Sequence, residues 1–216
     1  MSRSLSLESP QGRWFVVVAS LLSLPMAAVV SADTIVYDNT VNFGGFYNPS
    51  SGLEWGDGAT LAGTERVVTK ISLMIHSMSG DVTSDLTVRL FEGGDDWEAE
   101  PGAMLWESVL FQQMTIFDGS NLYDFDVPSV TVPASVTWTL ELQNADPPGA
   151  LFGSRFMGSP VVGSSEEFFW QHNTNGTWGR EHLFRNNLGA RIEAVPEPGT
   201  LTALALGAFG VGRYRR

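Results

Sequence analysis

Cysteine is missing from all 216 positions, which excludes a disulfide framework, a thiolate zinc site and a cysteine nucleophile. The absence does not argue against export, because about 160 residues are enough to hold a domain together by burial alone. Basic residues are scarce between Asp33 and Ala194. There are seven (Arg66, Lys70, Arg89, Arg155, Arg180, Arg185 and Arg191) against 22 acidic ones, a net of −15. Such a field repels nucleic acid and anionic membrane surfaces, so a nucleic-acid role is not expected. It suits cation binding, or simply solubility outside the cell. This middle part also lacks a convincing helical stretch, an internal repeat and a recognisable catalytic spacing.

What it has instead is alternation. Val136, Trp138, Leu140 and Leu142 fall on one side of a run whose other side is Thr137, Thr139 and Glu141. Tyr123, Phe125 and Val127 alternate with Asp124 and Asp126; Ile71, Leu73 and Ile75 oppose Lys70, Ser72 and His76; Leu86, Val88 and Leu90 oppose Thr87 and Arg89. Near the end Leu188, Ala190, Ile192 and Ala194 oppose Arg191 and Glu193. This period of two is what half-buried antiparallel strands require. Turn signals separate the runs: Gly44-Gly45, Asn48–Gly52, Gly93–Asp96, Asp118-Gly119, Asp146–Gly149 and Asn173–Gly176. The pattern predicts an all-β fold, a single antiparallel β-sandwich of about nine or ten strands over 33–194, with jelly-roll topology first and immunoglobulin-like second.

The two ends differ in kind. Arg3 and Arg13 precede and flank an apolar core, Trp14–Leu24; Pro25 breaks it, and Val30-Ser31-Ala32 offers small residues before Asp33. Residues 1–32 read as a secretory signal peptide cleaved after Ala32. The alternative is an uncleaved anchor, since Trp14–Ala32 nearly suffices to span. At the other end, Pro196 and Pro198 fix φ and lack an N–H, so no strand or helix runs through them. Leu201–Val211 is then a nearly uncharged run, ending in Arg213, Arg215 and Arg216. As a helix it covers roughly 16–21 Å, short of the ~30 Å hydrocarbon core, and its arginines hold that end on the cytoplasmic side.

The order Val195-Pro196-Glu197-Pro198, apolar run, basic end resembles the PEP-CTERM sorting signal found on exported proteins of Gram-negative bacteria that make extracellular polysaccharide. The resemblance makes 195–216 a sorting segment, with Pro196, Glu197, Pro198, Arg213, Arg215 and Arg216 as its motif. It implies recognition by an exosortase, a membrane-embedded cysteine protease. The body is similar to a recurrent exported β-sandwich family that carries the same tail. The matching pieces are Tyr37–Thr40, the Gly44-Gly45-Phe46 turn, Glu54–Asp57 before Leu61-Ala62-Gly63, Pro101–Glu107, and Asn187–Ile192. That likeness implies a fold and a compartment, but no activity.

Chemistry in the body has few candidates. Glu92–Glu100 is the densest carboxylate cluster, and a glycine-loosened acidic loop can supply the oxygens calcium wants. Asp95, Asp96 and Glu98 are the choice for such a site. The alternating spacing of a calcium-binding loop is absent, however, and the cluster reads first as a solvated acidic loop. Paired carboxylates are also glycosidase machinery, yet among 22 acids some pair meets by chance. His76, His172 and His182 have no metal-ligand spacing. Trp55, Trp97 and Trp178 sit beside glycine or acidic turn residues, where a partly exposed indole can stack on a sugar ring. Sandwiches cap their sheet ends with tryptophan too. The expectation is an exported, non-enzymatic structural or adhesive protein of the cell surface or exopolysaccharide matrix, needing no cofactor. A carbohydrate-binding module is the alternative, and a glycan-active hydrolase is third.

Overall fold

A computed structural model describes residues 32–197 apart from 42, 49–51, 94–100, 166–168, 173–176 and 182–186. The described residues form strands and no helix. They are β1 (Thr34–Asp38), β2 (Phe43–Tyr47), β3 (Glu54–Thr60), β4 (Val67–Ser77), β5 (Val82–Glu92), β6 (Met104–Glu107) and β7 (Phe111–Ile116). There follow β8 (Gly119–Thr131), β9 (Ser135–Asp146), β10 (Phe152–Met157), β11 (Phe169–His172), β12 (Trp178–Glu181), β13 (Asn187–Leu188) and β14 (Ala190–Val195).

They make two antiparallel sheets of seven strands. The first runs β1-β14-β4-β10-β13, with β2 on β10 and β8 on β4; the second runs β12-β11-β3-β9-β5-β6, with β7 on β5. Two long strands are the hubs. β8 pairs along nearly all of β4, so β14 and β10 share the opposite edge of β4. In the other sheet β9 takes one edge of β5, and β6 and β7 divide the other.

The alternating runs decide what lies between the sheets. Ile71, Leu73 and Ile75 of β4, with Phe125 of β8 and Ile192 of β14, are buried on the first sheet. Leu86, Val88 and Leu90 of β5 and Val136, Trp138, Leu140 and Leu142 of β9 are buried on the second, in the same apolar cluster. Each side chain of this size removed from water contributes about 1.5–3 kcal/mol, which is why a chain with no cysteine holds together.

Polar pins cross between the sheets. Trp55 Nε1 donates to Ser154 Oγ at 2.7 Å, and the Tyr47 hydroxyl donates to Gln171 Oε1. Asp57 Oδ2 accepts the Leu188 N–H at 2.7 Å; on the first sheet's own side, Asn39 Nδ2 donates to the Leu188 carbonyl at 3.3 Å. Two side chains thus stand where a neighbouring strand would complete β13.

Among the described residues there are fourteen strands, against the nine or ten expected. Bulges and shared edges split runs that the alternation treats as single: β6 and β7 pair different halves of β5, with the register shifting within each. The Gly44-Gly45 pair, expected as a turn, lies inside β2. A Cβ on Gly44 would stand 3.0 Å from the Phe156 carbonyl oxygen, so glycine serves the close approach of β2 to β10 rather than a reversal of the chain.

Candidate functional site

The second sheet has an outer face that is not ordinary wet surface. In β3, Trp55, Asp57 and Ala59 point inward, so Glu54, Gly56 and Gly58 belong to the outer side, where β9 contributes Thr137, Thr139 and Glu141. β5 adds Thr87, Arg89 and Phe91. Trp170 and His172 of β11 pair with Gly56 and Glu54, and Trp178 of β12 pairs with His172. One transverse row therefore reads Trp178, His172, Glu54, Glu141.

This face is concave. Phe91 and Trp178 stand on strands four places apart, which a flat sheet would hold ~19 Å from one another, yet their rings meet edge to face at 6.1 Å. Beneath them Thr137, Thr139, Gly56 and Gly58 are buried although they face outward. Gly56 is required here: a Cβ on it would lie 1.9 Å from the Trp138 carbonyl oxygen.

At one end of the hollow, three carboxylates surround one guanidinium. Arg89 Nη1 lies 3.0 Å from Glu54 Oε1 and 2.9 Å from Glu141 Oε2, and its Nε donates to Glu107 Oε2 at 2.6 Å. Burial opposes the charge on Arg89, but the hydrogen bond to Glu107 and the pull of Glu54 and Glu141 outweigh it, so its pKa is raised above the ordinary arginine value. Thr139 Oγ1 donates to Glu54 Oε1, and Gln143 Nε2 to Glu141 Oε1. His172 Nδ1 is 3.8 Å from Glu54 Oε2, and its ring stacks on Trp178 with centroids 4.7 Å apart at 17°. The result is a pre-set group of planar acceptors and donors beside an aromatic pair, with two more carboxylates than guanidinium groups.

The tryptophan expectations divide. Trp55 is corrected: it is 1 % exposed, inside the sandwich, because β3 is a central strand and alternation turns its indole toward Ser154. Trp178 is half-buried on the hollow. Trp97, with Asp95, Asp96 and Glu98, lies outside the described residues, as do 1–31 of the expected signal peptide; Ala32 is exposed. Among the described residues no group of three or more His, Asp or Glu side chains is placed to hold a metal. Glu54, Arg89, Glu107, Glu141 and His172 are not singled out by the sequence. Alternation marks Arg89 and Glu141 as outward, but only the register of β5, β9, β3 and β11 brings them together.

The sorting segment starts where the sheet stops. β14 lies between β1 and β4, with Val195 opposite Val67 and Ala194 opposite Thr34. Pro196 is half-buried and Glu197 exposed, while Pro198, the apolar run 201–211, Arg213, Arg215 and Arg216 lie outside the described residues. Residues 194–216 match the PEP-CTERM protein-sorting motif. The chain carries a PEP-CTERM signal. No curated protein and no solved structure matches the chain. The PEP-CTERM match implies export, sorting at a membrane through the C-terminal segment, and processing by an exosortase. It begins within β14, so the motif and the last strand share Ala194 and Val195. Thr34 stands opposite Ala194, so the described chain enters and leaves the first sheet at the same end.

Proposed function

We propose that this is an exported protein of the cell surface or exopolysaccharide matrix, delivered through its PEP-CTERM signal to an exosortase, whose sandwich works by adhesion or binding rather than catalysis. The observation that carries the reading is the match over 194–216, continuous with the last strand of an acidic sandwich. We assign the sandwich to the jelly-roll type, since β3, β4 and β5, and again β8, β9, β10 and β11, alternate between the two sheets.

Glu54 and Glu141 are the facing acids that a hydrolase reading needs, but a glycosidase keeps the gap between its two carboxyl groups open for a glycosidic oxygen or a water. Here Arg89 Nη1 fills that gap, within hydrogen-bond distance of both. The second reading, a carbohydrate-binding module, is favoured by the stack of Trp178 on His172 beside these polar groups.

The test is the intact mass of the protein from surface, medium and cytosolic fractions, for the wild type and for a chain with Pro196, Glu197 and Pro198 replaced by alanine. The wild type is expected outside the cytosol with a mass ending near Glu197, and the variant with its tail retained. Full-length wild type found mainly in the cytosol sinks the proposal.

A further inference from the structure

We infer that the Glu54 end of the concave face is a saccharide-binding site, selective for neutral or amino sugars over acidic ones. This rests on the carbohydrate-binding reading above and assigns that reading a place and a ligand class.

Unspent hydrogen-bonding capacity points to a ligand. The Glu54 side chain is 9 % exposed, its Oε1 is bound by Thr139 and Arg89, and its Oε2 makes no hydrogen bond among the described residues. The nearest cationic candidate, His172 Nδ1 at 3.8 Å, is too far away. That oxygen is not sealed from solvent, so a ligand hydroxyl can reach it and donate to it. The ring nitrogens of His172 and the Nε1 of Trp178 are likewise without a hydrogen bond among the described residues. Vicinal hydroxyls, each both donor and acceptor, match this set of atoms. The apolar face of a pyranose packs on the neighbouring aromatic pair.

The arrangement is also rigid in advance. Arg89 is held by three carboxylates and Glu54 by a buried threonine, so little side-chain freedom remains to be lost on binding. Charge then sets the class. Three carboxylates against one guanidinium leave two negative charges uncompensated, within a body of net −15. A uronate or phosphorylated sugar is repelled, while a neutral hexose is accepted and a protonated amino sugar attracted.

The experiment is affinity electrophoresis of the mature protein through native gels containing galactomannan, soluble β-glucan, chitosan oligomers or polygalacturonate. Trp178→Ala and Glu54→Gln run beside the wild type, with circular dichroism melts to establish that both are folded. The expected result is retardation by at least one of the first three and none by polygalacturonate, with roughly tenfold weaker binding in Trp178→Ala. Should Glu54→Gln unfold, Trp178→Ala alone decides the matter, because that indole is half-exposed. Retardation that survives unchanged in Trp178→Ala overturns the site but leaves the carbohydrate reading intact. Absence of retardation in every gel overturns both, and retardation by polygalacturonate overturns the selectivity.

Discussion

Asp57 is a carboxylate inside an apolar sandwich, 1 % exposed. An isolated charge there is prohibitive, and Asp57 is tolerated because it accepts the Leu188 amide and so, with Asn39, satisfies the edge of β13 that no strand pairs among the described residues. Asp85 shows the opposite case, a half-buried acid that works by geometry. Hydrogen bonds from Asn144, then from the Gln113 amide, hold its carboxyl below the ordinary 3.8, against a small opposing effect of burial. Gln113 and Asn144 have φ of 48° and 50°, and both sit at register shifts that flank β5, so Asp85 ties down two irregular turns of backbone. A folded-state pKa below the unfolded one means a contribution present above about pH 4 and lost as pH falls through the folded value. Asp85→Asn is therefore expected to lower the melting temperature at pH 7 and to flatten its decline between about pH 4 and 2, read by thermal melts across that range.

Among the elements, β3 decides most. Its first five residues, Glu54-Trp55-Gly56-Asp57-Gly58, place an ion-pair acid and two glycines outward, and an indole and a carboxylate inward. Gly56 lets β3 press on β9, and that contact sets Glu54 opposite Glu141. Gly56→Val is expected to cost about 3 kcal/mol in urea unfolding and to displace the Glu54–Arg89 pair, because the added carbon meets the Trp138 carbonyl oxygen and not a movable side chain. A loss below about 0.5 kcal/mol, the range of an ordinary surface change, refutes the account of the β3–β9 contact. β8 is long and among the described residues pairs only with β4, and its exposed Asp124, Asp126 and Pro128 keep such an edge from templating another chain.

At the scale of the molecule, the net negative charge of the body opposes its folding. With 22 acidic and seven basic residues over 33–194, self-repulsion is screened once the Debye length drops from ~30 Å at 0.01 M to ~8 Å at 0.15 M salt. The melting temperature is expected to rise over that interval. A fall would mean that ion pairs such as those of Arg89 outweigh the net repulsion. The preference among sugars that we propose for the Glu54 end rests on the same imbalance.

The sorting signal was legible from the residues alone, because two prolines, an apolar run and three arginines act through composition and order. The strands of the core were legible for a similar reason: period-two alternation in β4, β5, β8 and β9 is a local property, and burial follows it. Trp55 and the Gly44-Gly45 pair misled because glycine marks a turn and a tight interstrand approach with the same letter. What only the tertiary structure decided is the site. Glu54, Arg89 and Glu141 are separated along the chain by tens of residues and meet through the registers of three strands; His172 and Trp178 join them through two more. Register is set by the packing of the whole sandwich, and a single side chain carries no record of which residue will stand opposite it.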